Sequence, residues 1–305
     1  MKLTEDQLNI FRKDGLLILN NSNINLELLD NVRKKLSEIK EKCLKQLYNK
    51  YRVYEDYSKD ANIAGIENIF SQEIINQEIV DLFERSNVVE IAKQLLNDDN
   101  IILKLNRYHV TSKYSHIGNW HRDGLPNNLE SVQLNIYLYD EQGTEIVPDS
   151  HIRENNHLEN KIINKSVFSN LKNSKPIKCK SGQILAFHPA LLHRGKSKDD
   201  RAHIHFRFYK IKDEKEFEQS ERDANTGYLQ KYNMTKGTQK IISEYYATNK
   251  EEKSYIHEKN LKKNLLRITR FLIHKMLFFL SPQNPIFGRL NCRPCLKMRK
   301  IFFLK

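Results

Sequence analysis

The pattern of apolar and polar positions divides the chain into a helical start, a strand-rich middle and a helical, basic end. Thr4 and Gln7 form the sequence signature of a capping box, and apolar residues then recur at helical spacing until Asp14-Gly15. The next run, "LLIL", is predicted to form a strand. Residues 26–49 place apolar residues three and four apart between charged ones, which predicts a long amphipathic helix.

Residues 101–210 change to short runs of β-forming residues, separated by turn signals rich in Gly, Asn, Asp and Ser. The runs are "IILKLNRYHV", "SVQLNIYLYD", "TEIVP", "QILAF" and "RAHIHFRFYK". Short strands with regular turns predict an antiparallel barrel or jelly roll, so the fold class is α+β. We expect residues 1–213 to form the barrel domain with its N-terminal helices, and residues 214–305 to form a helical extension.

Charge and cysteine content narrow the classes of function. Of the 51 Lys/Arg residues, 11 lie in residues 261–305, where no Asp or Glu occurs, so the rest of the chain is nearly neutral despite the net charge of +13. A basic tail on a neutral body argues against nucleic acid binding along the whole protein. Four cysteines in 305 residues do not make a disulfide framework, and the N-terminus lacks a secretory signal. We therefore expect thiols and a cytoplasmic location.

The stretch "NWHRDG" places His121 and Asp123 two residues apart, directly after the single tryptophan of the chain. Chance alone predicts about 1.4 His-x-acid pairs at this composition. Two occur, and the other, His157 with Glu159, lies in a polar stretch without a β pattern. On a strand, side chains two apart point to the same face, so His121 and Asp123 can present a nitrogen and an oxygen to one point inside a barrel.

A third ligand is predicted from a distant strand. His193 follows the apolar run "QILAF" and precedes Arg194-Gly195, while His188 is the competing candidate five residues earlier. Two histidines and one carboxylate on one face of an octahedral metal leave the other positions open, as in non-heme Fe(II) oxygenases. A structural zinc site would be closed and would usually contain cysteines.

These features resemble the phytanoyl-CoA dioxygenase family of Fe(II)- and 2-oxoglutarate-dependent oxygenases. The resemblance covers roughly residues 3–210. Its pieces, in order, are "LTEDQLNIFRKDGLLIL", "NWHRDG", "GTEIVPDSH", and "SGQILAFHPALLHRG" with a downstream arginine. The third piece departs from the family pattern, since Asp149 stands where the family tends to have the glycine of a Pro-Gly-Ser-His turn.

The resemblance implies a double-stranded β-helix, a jelly-roll or cupin-like barrel, with His121, Asp123 and His193 as the Fe(II) ligands. It also implies that Arg201 pairs with the distal carboxylate of 2-oxoglutarate, a task that suits the planar fork of a guanidinium. Arg207, on the same strand face, is the alternative for that role. A solvated strand end is the plainer interpretation of Arg201.

Gln133 and Asn135 alternate with apolar residues on one predicted strand. They either line the site and bond the oxo acid, or form the wet face of a half-buried strand. Asp123 bears on the reaction type, because family relatives that halogenate replace this carboxylate with a small residue. The resemblance therefore implies a hydroxylase that uses O2 and converts 2-oxoglutarate to succinate and CO2 while oxidising an unactivated carbon.

Two other functions stay open at this point. A cupin-type isomerase could use the same metal triad without 2-oxoglutarate. A catalytically silent barrel could serve to dock its tail on a membrane or a partner. Metal content measured together with 2-oxoglutarate turnover would separate the three.

The tail "LLRITRFLIHKMLFFL", residues 265–280, places basic residues on one helical side and apolar ones largely elsewhere. It is too short and too charged to span a bilayer, for which about 20 mostly apolar residues are needed. Such a helix can lie on the anionic inner face of a membrane, or pack on the core or on a second subunit as a homo-oligomer. RNA binding is disfavoured because its aromatic residues lie in apolar runs. The substrate is predicted to be a small molecule or a lipid-linked or glycan-linked precursor, and the lipid or glycan is suggested by this tail alone.

Overall fold

The computed structural model describes residues 1–44, 53–56, 63–72, 74–111, 116–117, 119–163, 169–197, 201–211 and 227–248. The helices within them are α1 (Glu5–Asp14), α2 (Leu26–Leu44), α3 (Gln77–Ser86), α4 (Val88–Leu96), α5 (His157–Ile163) and α6 (Lys236–Thr248). The strands are β1 (Leu16–Leu19), β2 (Val53–Asp56), β3 (Ile63–Glu67), β4 (Ile101–Thr111), β5 (His116–Ile117), β6 (Ser131–Tyr137), β7 (Glu141–Ile146), β8 (Lys175–Cys179), β9 (Ile184–Phe187), β10 (His193–Ser197) and β11 (Arg201–Lys210).

Two antiparallel sheets pack face to face. The larger has the order β1-β9-β6-β11-β4-β3-β2, and the smaller has the order β5-β10-β7-β8. A buried apolar cluster joins them, with Tyr137 and Phe187 from the larger sheet packing with Cys179 from the smaller. The predicted α+β class with antiparallel sheets is therefore confirmed for the described residues.

Strand β11 shows how the sequence builds the two faces of the larger sheet. It lies between β4 and β6. Ala202, Ile204 and Phe206 belong to the main hydrophobic core, whereas the alternate positions His203 and His205 are polar and equally buried. Since alternate side chains of a strand point to opposite faces, the apolar set packs outward against the helices and the polar set lines the barrel interior.

The main core lies between the larger sheet and the helices. Phe70, Phe83 from α3 and Phe206 from β11 pack as a trio with ring centroids 5.0 to 6.0 Å apart. Burial of these side chains gives the larger sheet a rigid outer support, since each fully buried apolar side chain contributes about 1.5–3 kcal/mol.

Helix α1 follows the predicted cap and stop signals. Thr4 and Gln7 form the reciprocal capping box, and Gly15 ends the helix at φ 73°. The predicted strand "LLIL" is β1, which pairs with β9 in the register Leu16↔Phe187. The long amphipathic helix begins at Leu26 as predicted and is described as far as Leu44, while residues 45–49 of the prediction lie outside the described residues.

The segment after the barrel packs on the same core. The Tyr228 and Tyr232 hydroxyls donate 2.9 Å hydrogen bonds to the carbonyls of Phe70 and Ile75, and α6 packs against β4. The proposed domain boundary at residue 213 stays a prediction. The predicted basic helix of residues 261–305 lies outside the described residues.

Among the described residues, no helix has the length and apolar character needed to cross a bilayer.

Substitution of Gly15 tests the close contact between the end of α1 and His151. A Cβ built at this position would lie 2.5 Å from Nδ1 of His151, and its positive φ disfavours any residue with a side chain. Gly15→Ala should therefore lower the free energy of unfolding by about 1–3 kcal/mol, measured by denaturant titration. The matched control is Gly237→Ala in α6, where the nearest atom would be 3.9 Å away. Equal stability of the two variants would contradict the contact.

Candidate functional site

Backbone hydrogen bonds bring the two predicted histidines together. His121 N–H donates to the carbonyl of His193, and His193 N–H donates to the carbonyl of His121, both at 3.0 Å. Asp123 N–H donates to the Pro189 carbonyl at 2.8 Å. His121 is an isolated bridge residue and Asp123 lies in a bend, so the expectation that both stand on a regular strand is wrong. The bridge to β10 replaces strand pairing in fixing their directions.

The three predicted ligand side chains converge on one point. His121 Nε2 lies 3.9 Å from Asp123 Oδ1, and His193 Nε2 lies 3.7 Å from Asp123 Oδ2. Candidate ligand atoms from the three residues all lie within 4.8 Å of one another. The spacing leaves room for one ion between them.

Backbone carbonyls fix the tautomers of both histidines. His121 Nδ1 lies 2.9 Å from the Asn119 carbonyl, and His193 Nδ1 lies 2.8 Å from the Leu191 carbonyl. Because a carbonyl only accepts, each Nδ1 must carry the hydrogen, which leaves a lone pair on each Nε2. Two lone pairs aimed at a carboxylate need a cation between them, and this donor set fits a divalent metal such as Fe(II).

The protonation states suit metal binding. Burial, with a smaller contribution from the neighbouring His121, lowers the pKa of His193 to about 3. Burial raises the pKa of Asp123, but Arg207, His193 and His121 together outweigh burial and hold the pKa below its ordinary value. At neutral pH, His193 is therefore neutral and Asp123 is ionised, as metal ligands must be.

Arg207 lies directly beside this cluster. Its Nη2 donates to the Asp123 carboxylate and, at 2.6 Å, to Oε1 of Gln133. Its Nε is buried and has no hydrogen-bond partner among the described residues. The guanidinium therefore neutralises part of the Asp123 charge and orients the carboxylate.

Arg122, the residue between two of the predicted ligands, was missed by sequence analysis. Its Nε and Nη2 donate to Oδ1 of Asn155 at 2.8 and 2.6 Å, and its Nη1 donates to the carbonyls of Ser150 and Ala190. These bonds tie the loop of His121 and Asp123 to two neighbouring loops. Arg122 could not be recognised from the sequence, because a backbone carbonyl can accept a hydrogen bond whatever the residue type.

The residue after His193 was also missed. Arg194 is fully buried, and its Nη2 donates to Oε2 of Glu145 at 2.6 Å while its guanidinium lies 4.5 Å from the ring centroid of Trp120. Trp120 packs beside the candidate metal site, and its Nε1 donates to the Ser169 carbonyl at 3.1 Å. Trp120 and Arg194 therefore fix the backbone on both sides of the bridge between His121 and His193.

The other predicted residues lie inside the barrel. Gln133 and Asn135 are 5% and 3% exposed, and Arg201 is 5% exposed. The alternatives of a wet strand face and a solvated strand end are therefore wrong. The competing histidine, His188, accepts a 3.0 Å hydrogen bond from Ala190 N–H through Nδ1, and its ring lies tilted against that of His151, outside the ligand cluster.

The turn at Asp149 keeps the conformation that glycine adopts most easily. Asp149 has φ 57° and ψ 5°, and the following residues Ser150–Ile152 form a 3-10 turn. His151 closes this turn, with Nε2 lying 3.0 Å from the Arg12 carbonyl. The replacement of the family's glycine has not prevented the left-handed conformation.

Comparison with family models gives a match to "Phytanoyl-CoA dioxygenase (PhyH)" over residues 11–201. The chain belongs to the phytanoyl-CoA dioxygenase family. The match ends at the first residue of β11, so it includes the three candidate ligands and Arg201. Membership makes the protein an Fe(II)- and 2-oxoglutarate-dependent oxygenase in the broad sense.

Several solved structures share the family's fold with this chain. HygX from Streptomyces hygroscopicus, with nickel and 2-oxoglutarate bound, is 14% identical, with a TM-score of 0.54 over 69% of this chain and 89% of that one. AviO1 from Streptomyces viridochromogenes is 15% identical, with a TM-score of 0.53 over 70% and 97%. The carbocyclase SnoK from nogalamycin biosynthesis is 14% identical, with a TM-score of 0.52 over 68% and 85%. A search of curated protein sequences gave no match.

Arg122 should control how well the family's metal site is formed. Arg122→Met leaves the Ser150 and Ala190 carbonyls without this donor, which should cost about 1–3 kcal/mol of stability. Divalent metal affinity should fall about 10–100-fold, as for other residues that orient ligands. Calorimetric metal titration and denaturant unfolding measure the two effects.

Arg153→Met is the matched control. Arg153 lies in a neighbouring loop that Arg122 contacts, and its own side chain pairs with Glu159 at 2.7 Å. It should leave metal affinity unchanged. Equal metal affinity in the Arg122 and Arg153 variants would show that Arg122 does not position the ligands.

Proposed function

We propose that the protein is a hydroxylase that oxidises an unactivated carbon of a small molecule, with Fe(II) held by His121, Asp123 and His193. The observation that carries this proposal is the convergence of two tautomer-fixed imidazoles and one carboxylate. Fe(II), when bound with 2-oxoglutarate and O2, supplies the oxidising chemistry. The retained carboxylate of Asp123 favours hydroxylation over halogenation.

The residues of this chain would bind and orient the reactants. Each histidine keeps its Nδ1 hydrogen on a backbone carbonyl, so Nε2 is the nitrogen available as a ligand. Arg207 would hold Asp123 in position through its contact with the carboxylate. The ligand set leaves open positions for an oxo acid and O2 because it supplies three donors to a six-coordinate ion.

Arg201 is proposed as the anchor for the distal carboxylate of 2-oxoglutarate. Its Nη1 donates to the carbonyl of Gly143, beside Thr144, which pairs with Gly195 two residues along β10 from His193. Two or three residues of strand correspond to about 7–10 Å. A five-carbon dicarboxylate, with about 5 Å between its carboxyl carbons, can extend from the metal toward a guanidinium at that distance.

Arg207 is less suited to this role. Its guanidinium touches Asp123, so a carboxylate bound there would lie beside the metal instead of at the far end of the cosubstrate. Gln133 and Asn135, buried between these two levels of the barrel, are proposed to line the oxo acid. Gln133 Oε1 already accepts from Arg207, which fixes the orientation of its amide.

The partners and location follow from the sequence in part. O2 and a small organic substrate are proposed as reactants. Four expectations stay predictions. They are the attachment of residues 261–305 to an anionic membrane, a lipid- or glycan-linked substrate, a homo-oligomeric state and a cytoplasmic location.

Removal of a ligand tests the metal assignment. His121→Ala and Asp123→Ala should each abolish stoichiometric Fe(II) retention under anaerobic conditions and 2-oxoglutarate decarboxylation, because two remaining donors do not hold the ion. The control is His188→Asn, which retains an acceptor for Ala190 N–H. It should keep both properties. Stoichiometric iron and full decarboxylation in the His121/Asp123 double variant would overturn the assignment.

Arg201→Gln tests the cosubstrate anchor. Loss of a charge-assisted pair with a semi-buried carboxylate costs about 2–5 kcal/mol. The KM for 2-oxoglutarate should therefore rise at least tenfold, while Fe(II) affinity changes far less. Arg207→Gln should instead weaken Fe(II) binding more than 2-oxoglutarate binding. The opposite pattern in the two variants would transfer the anchoring role to Arg207.

A further inference from the structure

A buried carboxyl group lies next to the proposed anchor. The side chain of Glu141, at the start of β7, is 2% exposed, and its Oε1 lies 3.9 Å from Arg201 Nη1 and 4.0 Å from His203 Nδ1. Neither oxygen of Glu141 accepts a hydrogen bond from the described residues, and neither does His203 Nδ1 have a partner among them. Buried polar atoms without partners are rare in folded proteins and indicate a ligand or a function.

The backbone at Gly143 brings Arg201 close to Glu141. A Cβ at Gly143 would overlap the Arg201 side chain and would lie 3.1 Å from Glu141 Oε1. The guanidinium therefore lies across a position where only glycine fits. This close approach holds the cation and the carboxyl group side by side inside the barrel.

The other titratable groups around Glu141 carry no charge at neutral pH. Burial, together with Arg201 and Arg107, lowers the pKa of His203 well below its ordinary value. Burial raises the pKa of Tyr137 well above its ordinary value and that of Cys179 to about 12, with Glu141 adding to both shifts. These groups from β11, β6 and β8 face Glu141, so Arg201 is the cation that balances it.

A second carboxylate changes this balance. If the distal carboxylate of 2-oxoglutarate binds Arg201, two carboxyl groups must share one guanidinium in a buried site. Ionisation of both carboxyl groups beside one buried guanidinium is unfavourable, as other buried carboxyl pairs that share a proton show. Either Glu141 takes up a proton, or the cosubstrate binds weakly.

We propose that Glu141 is a specificity-determining residue of the cosubstrate site, and that the site accepts the distal carboxylate of 2-oxoglutarate with one proton taken up from solvent onto Glu141. The neutral carboxyl group then donates its O–H to the bound carboxylate. The inference rests on the proposed function, in which Arg201 anchors the cosubstrate. Burial also raises the pKa of Glu141 to about 7, although Arg201 opposes the shift, so the proton is gained within a physiological range.

The direction of the pH dependence follows from linkage. Below about pH 7 Glu141 is already neutral, so 2-oxoglutarate binding should not depend on its titration. Above that pH each unit should weaken binding about tenfold, because a proton must first be taken up. Anaerobic titration calorimetry of the Fe(II)-loaded protein from pH 6 to 9, in buffers of different ionisation enthalpy, measures both the dissociation constant and the proton uptake.

Glu141→Gln keeps the size of the side chain and removes its charge. This variant should bind 2-oxoglutarate without pH dependence and at least tenfold more tightly than the unchanged protein at pH 8.5, with no proton uptake. Glu141→Asp, which keeps a carboxyl group, should retain proton uptake. The matched control Glu27→Gln, at an exposed position of α2, should behave like the unchanged protein.

A second probe isolates the distal carboxylate. 2-Oxopentanoate has the same carbon chain but lacks that group, so its weaker binding should show neither the pH dependence nor the proton uptake assigned to Glu141. Equal proton uptake by the unchanged protein and Glu141→Gln would overturn the inference.

Different results would refute the anchoring role of Arg201 and the proton uptake by Glu141. Unchanged 2-oxoglutarate affinity in Arg201→Gln would refute the anchor itself. Weakened affinity in Arg201→Gln together with unaltered proton uptake in Glu141→Gln would leave the anchor standing and refute only the role of Glu141.

Discussion

The reciprocal backbone bonds between His121 and His193 are the interaction on which the site depends. A pair of hydrogen bonds fixes both position and rotation, so the two imidazoles lie with ring centroids 4.3 Å apart without a continuous strand around His121. The loop is then free to bend at Asp123, which a regular strand would not permit. Arg122 and Arg194 supply the remaining restraint, each from the residue next to a candidate ligand.

A second constraint is the polar interior of the barrel. Burial of charged groups is costly unless they are paired, and this barrel encloses Arg201, Glu141 and several histidines. The main apolar core lies on the other side of the larger sheet, where β11 packs against the helices. Stability is thereby separated from chemistry, because one face of the same strand supports the fold and the other face is available for a bound acid.

Sequence analysis predicted much of this arrangement for physical reasons that can be named. Helix α1 was predicted because its capping box and terminal glycine act locally, and β11 was predicted because β-forming residues continue through ten positions. Strands β8 and β10 were missed, since "KPIKC" and "HRGKS" are polar edge or site segments with no apolar alternation. Their pairing comes from tertiary contacts.

The site residues also divide into those that the sequence reveals and those that only the structure reveals. His121, Asp123 and His193 could be found because metal ligands have restricted chemistry and spacing. Glu141 and Arg122 could not be found in this way, since their roles depend on distant backbone and on burial that a single sequence does not display. The polar character of Gln133 and Asn135 was evident, but only the structure placed them inside.

The pairing of β1 with β9 has a consequence for synthesis of the protein. Leu16 pairs with Phe187, so the first strand emerges from the ribosome long before its partner exists. At about 5–20 residues per second, this strand waits roughly 10–30 s with its apolar side chains uncovered. Non-local pairing of this kind slows folding and exposes unpaired edges to aggregation. Production at lower temperature or with added chaperones should therefore increase the yield of folded protein.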